Sequence, residues 1–331
     1  MDIKSVISQI GNTPLVRLKQ VSELTGCNIY GKAEYLNPGE SVKDRAALFI
    51  VQDAIKRKLI SEGGTIVEGT AGNTGIGLAV VCNQYNLKLK IVIPRTQSIE
   101  KKETLKNLGA ELIEVDAVPY SNPKNYIKQS KKIAEDLNKT SNHGVYWANQ
   151  FDNVVNTESH IKTTAEEIWS QTAGKIDAFT CAVGTGGTLS GVSIGLKDKN
   201  KNIKIALSDP MGSSLYSYIK DNKLENKGSS ITEGIGTARV TKNFEKALID
   251  DAFQTDDSEA LNLIYDLIEN QKIILGGSSG INIAGAIKLA KKMGPGKTIV
   301  TILCDHGKRY ASKIFNKEFL KSKNLPIPKW L

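Results

Sequence analysis

The sequence predicts an α/β fold of two doubly wound domains, each a mostly parallel sheet wrapped in helices, with a cleft between them. Three observations lead there. Apolar β-like runs alternate with amphipathic helical stretches, the pattern of parallel strands joined by right-handed crossovers. IDAFTCAV (176–183) is apolar without alternation, as a strand covered on both faces should be. The runs also fall into two sets, 65–116 and 176–304, and the polar KTSNHG breaks the pattern between them near 140–150.

In chain order, TIVEG (65–69) leads through the turn TAGNTG into a helix ending near residue 85. KIVIP (90–94) precedes the helical SIEKKETLKNLG (98–109), whose last glycine suits a C-cap. ELIEVD (111–116) is the next strand, followed by a helical stretch over 123–138. In the second half, IDAFTCAV is followed by GTGGTLSG, which opens a helix. IKIALSD (203–209) and TIVTILC (298–304) are further buried-strand candidates.

Composition narrows the class. The 331 residues are 40% hydrophobic, enough for a substantial core. No apolar run approaches the roughly 20 residues that cross a bilayer. MDIKSVISQIGNTPL lacks the basic-then-apolar pattern of a secretory signal, so the expectation is a cytoplasmic protein without a membrane partner. The net charge of +9 comes from lysines spread among Glu and Asp over 100–109 and 124–139. They form no basic block with interleaved aromatics, so a solvated surface is expected rather than a nucleic-acid partner. Cys27, Cys82, Cys181 and Cys304 form no CxxC pair. His143, His160 and His306 stand near no carboxylate or cysteine at ligand spacing, so no metal site is expected.

Three glycine-rich turns have the composition of anion cradles: TAGNTG (70–75), GTGGT (184–188) and GGSSG (276–280). Each follows an apolar run and precedes a helix, which would aim backbone N–H groups and a helix dipole at one point. Any one of them could equally be a tight strand-to-helix turn. They are not nucleotide motifs. GxxxxGK[ST] is absent, and the third position of GxGxxG is Leu189 after Gly184 and Gly186, and Val80 after Gly75 and Gly77.

NPGESVKDR (37–45) resembles the cofactor-lysine segment of the fold-type II pyridoxal-phosphate enzymes, specifically the cysteine synthase and cystathionine β-synthase family. Six further segments are similar to that family in the same order: IGNTPLVRL (10–18), TAGNTG, QFDN (150–153), GTGGTLSG (184–191), EGIG (233–236) and GGSSG. The resemblance runs from about residue 5 to residue 313 and lies closest to cysteine synthase. It implies the tryptophan-synthase-β-like architecture, with a smaller domain over 37–147 and a larger one from 1–36 plus 148–331. It also implies pyridoxal 5'-phosphate held on Lys43 as a Schiff base, with Lys43 then acting as the base at the substrate α-carbon. By the same resemblance Gly184, Thr185, Gly186, Gly187 and Thr188 hold the cofactor phosphate, and Asn73 meets its 3-hydroxyl. Thr70, the amide of Ala71, Thr74 and Gln150 hold the substrate carboxylate.

The resemblance places Ser278 at the pyridine nitrogen. A neutral hydroxyl there does not favour a protonated ring, so the cofactor is a weaker electron sink and loss of a β-substituent is favoured over racemisation. The implied reaction is β-replacement on O-acetylserine by sulfide, through an aminoacrylate. Cystathionine synthesis from serine and homocysteine, or a β-elimination lyase of the same fold, remain as alternatives, and so does a non-catalytic binding relative. The implied partners are a small amino acid and sulfide or a thiol, a second copy in a homodimer, and serine acetyltransferase.

Five positions depart from the family pattern. Ala71 stands where a serine hydroxyl is usual. Glu40 replaces a common glycine. Arg239 replaces an apolar residue, and either pairs with Glu233, Asp44 or another acid or offers a fork to an anionic substrate. Cys304-Asp305 replace a Pro-Ser or Pro-Asp pair, and Cys304 is read as buried filler. No regulatory extension follows Leu331 and no CPxxH-like haem segment precedes residue 10, which is expected of a cysteine synthase. EGIG and DPMGS (209–213) look more like the cystathionine enzyme.

Overall fold

The structure, a computed structural model, describes residues 5–70 and 72–331. Among these, β1 (Leu15–Arg17), β2 (Asn28–Ala33), β7 (Ala178–Cys181), β8 (Lys204–Pro210), β9 (Asp251–Thr255) and β10 (Thr298–Leu303) form a six-stranded sheet in the order β1-β2-β10-β7-β8-β9. Only the β1–β2 pair is antiparallel. The second sheet, wholly parallel, has the order β5-β4-β3-β6, from β3 (Thr65–Gly69), β4 (Lys88–Pro94), β5 (Glu111–Val115) and β6 (Val145–Trp147). The fold class is the one the sequence predicts.

Burial on both faces explains the runs without alternation. Along β10, Ile299 and Leu303 enter one apolar cluster while Val300 and Ile302 enter another on the opposite face. The smaller sheet has its own core, with Ile66, Ile91 and Ile93 packed against Ala47, Ile50, Ile76 and Leu78 of the covering helices.

The sequence reading places six strands within a few residues of their observed ends and leaves out β1, β2, β6 and β9. β1 and β6 have three residues each, too few for a period. β2 carries Lys32 next to its C-terminal end, and β9 (DAFQT) is an edge strand that begins with Asp251. The helix expected from 123 begins at Tyr126, because the Asn125 side chain accepts from the Ile127 N–H and caps it there.

Candidate active site

Turns that follow parallel strands lie at the strands' C-terminal ends, where α/β sheets gather their ligands. Here the turn after β3, the turn after β7 and the end of β10 meet the N-termini of the helices Lys43–Lys56 and Gly277–Met293. Between them lies a cleft of about 720 Å³, within the usual range for a small-molecule site. Lys43, Thr70, Asn73, Thr74, Gln150 and Ser278 all line it, as do Gly184, Thr185 and Arg239. Gly186 and Thr188 line an adjoining recess that also borders Lys43. Gly187 is buried behind them as the first residue of its helix. Ala71 lies outside the described residues.

Lys43 is the first residue of its helix, and its side chain makes no hydrogen bond or ion pair with the described residues. A lysine beside a cleft with its amine uncommitted is open to carbonyl chemistry. The glycine loop ahead of the helix Gly187–Lys199 is shaped for close approach. Gly186 has φ 91°, a left-handed conformation that L side chains rarely adopt. A Cβ there would strike Phe244, and one on Gly184 would strike the Gly234 carbonyl. Thr185 is held from behind, with its carbonyl accepting from the Thr241 hydroxyl at 2.6 Å.

Asn73 is fixed at both ends of its amide. Its Oδ1 accepts from Arg309 at 2.8 Å and its Nδ2 donates to Asp305 at 2.7 Å, which leaves one N–H uncommitted. Neither partner was singled out in the sequence, although Asp305 belongs to the departing Cys304-Asp305 pair. Thr70 Oγ1 accepts from the Gly72 N–H at 3.1 Å, so its own proton remains for another acceptor. Thr74 donates to Gln150 Oε1, and Gln150 Nε2 donates to the Gly69 carbonyl at 3.4 Å. These two residues are 2–3% exposed and are therefore oriented before any ligand arrives. Ser278 lies at the start of its helix and lines the cleft beside Cys304, whose thiol burial pushes up to about 11. At neutral pH that thiol is protonated, which fits wall packing.

Glu40 receives an explanation the sequence did not supply, and Arg239 takes an ion pair with an acid the sequence did not name. Glu40 has φ 56°, in the left-handed region, which is why glycine suits this turn. Its carboxylate is paired with Lys308 and lies 3.6 Å from Arg309. The expected partners of Arg239, Glu233 and Asp44, are engaged elsewhere: Glu233 with Lys101 and Lys313, Asp44 with the Gly39 N–H. Arg239 instead gives two N–H groups to Asp152, each at 3.2 Å, and its guanidinium lies over the rings of Tyr120 and Phe151. The fork that an anionic substrate would need is thus turned to Asp152.

Two parallel-sheet domains with an uncommitted lysine and a close-approach glycine loop at one cleft form a site of the kind that can hold a carbonyl cofactor with an anionic tail. A family model described as pyridoxal-phosphate dependent enzyme matches residues 6–305, and the chain belongs to that family. It is 49% identical to a cysteine synthase 1 of Neurospora crassa over 97% of this chain and 86% of that one. Among solved structures it is similar to an O-acetylserine dependent cystathionine beta-synthase from Helicobacter pylori, with 32% identity, a TM-score of 0.85, and 95% and 98% of the two chains covered. A hydrogen sulfide-producing enzyme from Fusobacterium nucleatum superposes with a TM-score of 0.82 at 36% identity, covering 93% and 99%. The residues fit pyridoxal phosphate: amine, close-approach glycine loop and ring-side hydroxyl all border one cavity.

Proposed function

We propose that the protein makes cysteine by β-replacement, exchanging the O-acetyl group of O-acetylserine for sulfide. The observation that carries this reading is the uncommitted Lys43 amine between Asn73, Ser278 and the glycine loop. The cofactor, when bound, supplies the electron sink at the substrate α-carbon. The chain's own residues then divide the work. Lys43 anchors the cofactor and moves the α-proton. The loop 184–188 holds the phosphate, and the second Asn73 N–H meets the ring hydroxyl. Thr70, Thr74, Gln150 and the Ala71 amide orient the substrate carboxylate, while Ser278 leaves the ring nitrogen without a proton. The cysteine synthase relatives support cysteine as the product.

Lys43→Ala should lose the visible absorption of lysine-bound cofactor and cysteine production together. Activity within tenfold of the unaltered protein would remove Lys43 from this role. Cystathionine synthesis is the second reading. The likeness to the Helicobacter pylori enzyme favours it, and product analysis with sulfide against homocysteine separates the two. We place the enzyme in the cytoplasm as a homodimer, with the tail of serine acetyltransferase as a candidate cleft ligand. Sedimentation of the pure protein tests the dimer, calorimetry with a tail peptide tests the cleft ligand, and fractionation of the source cell tests the location.

A further inference from the structure

We propose that His160, buried behind the glycine loop, orients the Thr188 hydroxyl so that its proton points at the cofactor phosphate, and that the Thr164 hydroxyl selects the ring tautomer this needs. His160 lies in none of the seven segments that carry the sequence resemblance. It opens a π-helical turn, His160–Ala165, between the helices Val155–Ser159 and Glu166–Gln171. π-turns inside helices are frequent at functional positions.

Close packing brings this turn to the loop. Gly187, Gly191 and Gly195 lie four residues apart on one face of the helix Gly187–Lys199. A Cβ on them would strike the Asn156 amide, the Thr157 carbonyl with His160 Cβ, and Ala165 Cβ respectively. With nothing but hydrogen there, His160 Nε2 comes within 3.2 Å of Thr188 Oγ1, while Nδ1 lies 2.8 Å from Thr164 Oγ1.

The proton positions follow from counting donors. Thr164 is fully buried, and the imidazole is its hydroxyl's partner among the described residues. A hydroxyl proton buried without an acceptor is costly, so Thr164 donates to Nδ1. Burial, reinforced by the nearby Arg45, pushes the ring pKa down to about 3, so the imidazole is neutral with one N–H. With Nδ1 accepting, that N–H is Nε2–H, and it donates to Thr188 Oγ1. The Thr188 proton is left for the recess that Thr188 and Lys43 share. Asn156 does the same for the other threonine: its Nδ2 donates to Thr185 Oγ1 at 3.0 Å and to the Gln150 carbonyl at 2.9 Å. His160 is therefore a positioning residue, and it turns the loop into an array of donors before the cofactor binds.

This rests on the reading of 184–188 as the phosphate loop, and the experiment separates the two. The affinities of the cofactor-free protein for pyridoxal phosphate and for pyridoxal, which lacks the phosphate, are measured in Thr188→Val, Thr164→Val, His160→Asn and His160→Gln. Losing the Thr188 donor to a charged acceptor should weaken pyridoxal phosphate roughly tenfold or more, losing its orientation in Thr164→Val and His160→Asn should weaken it in the same direction, and pyridoxal should bind unchanged in all three. His160→Gln, whose amide N–H reaches the place of Nε2–H, should recover most of the loss. If Thr188→Val has no effect, the phosphate-loop reading itself falls. If Thr188→Val weakens binding while Thr164→Val and His160→Asn do not, His160 does not orient the hydroxyl. Nitrogen NMR of the three histidines in the unaltered protein decides the matter even if a variant fails to fold. An Nε2–H tautomer for His160 that does not titrate near neutral pH is expected, and an Nδ1–H tautomer or an imidazolium overturns the inference.

Discussion

Glu68 sits on β3 beneath the substrate loop, 1% exposed. Burial pushes its carboxyl up to about 8, against hydrogen bonds from the Gln150 side chain and from the backbone of Asn149 and Gln150. Near neutral pH the folded protein thus holds a proton that the unfolded chain, with an ordinary value of 4.5, has released. Where the folded state binds the extra proton, stability falls as pH rises, here between about 4.5 and 8. Asp44 and Asp209, both pushed up to about 7 mainly by burial, act with the same sign. In Glu68→Gln the fall in urea midpoint from pH 5 to pH 8 should be smaller than in the unaltered protein. Equal falls in the two proteins would mean that Glu68 is ionised in the fold. No pattern in TIVEG marks this residue, because desolvation is a property of what packs over a strand.

The segment 231–241 is an element without regular structure that is fixed by its ends. Glu233 joins Lys101 of the helix Ile99–Asn107 at 2.6 Å, with both side chains under 10% exposed. Arg239 joins Asp152, and the Gly236 N–H donates to the Val183 carbonyl at 2.8 Å. The loop therefore crosses the mouth of the cleft and ties the larger sheet's side to the smaller's. An arginine whose fork serves Asp152 acts on substrate through the loop it holds. Arg239→Ala should raise KM by a similar factor for every substrate pair, roughly tenfold for a lost charged hydrogen bond. A rise confined to substrates with a second anionic group would instead show that Arg239 contacts them directly.

Across the whole molecule, the helix carrying Lys43 is held to the larger sheet by a buried ion cluster. Arg45 donates to Glu34, at the end of β2, at 2.7 Å, and to Glu167 at 2.6 Å; Lys32 completes the cluster against Glu167. Burial alone would raise the Glu34 carboxyl, but the Arg45 guanidinium beside it holds it down to about 2. Its contribution to stability is full above its ordinary value of 4.5 and is lost as pH falls toward about 2. Arg45→Met leaves the buried Glu34 without its cation and Glu167 with Lys32 alone, and should destabilise the fold by roughly 3–5 kcal/mol. It should also flatten the loss of stability below pH 4.5, as thermal unfolding across that range would record. An unchanged acid slope would mean that the cluster does not set it.

The sequence by itself determined the α/β class, the six strands long and apolar enough to show a period, and the three small-residue turns; the resemblance supplied the single side chains expected at the cleft. Those features are written locally: continuous apolar runs need cover on both faces, and TAGNTG, GTGGT and GGSSG need small residues whatever surrounds them. The short or charged strands escaped it, since the order of β2 depends on an acid, Glu167, more than a hundred residues away. Tertiary structure alone decided which partner Arg239 takes, why Glu40 stands where glycine is usual, and that Asn73 is held by Asp305 and Arg309. It also placed His160 behind Thr188. Asn156, His160 and Thr164 recur every four residues, a face of one helix, but only the glycine stripe of the opposing helix brings that face within hydrogen-bond reach of the loop. Spacing along a chain says which side chains share a face, and packing says what the face meets.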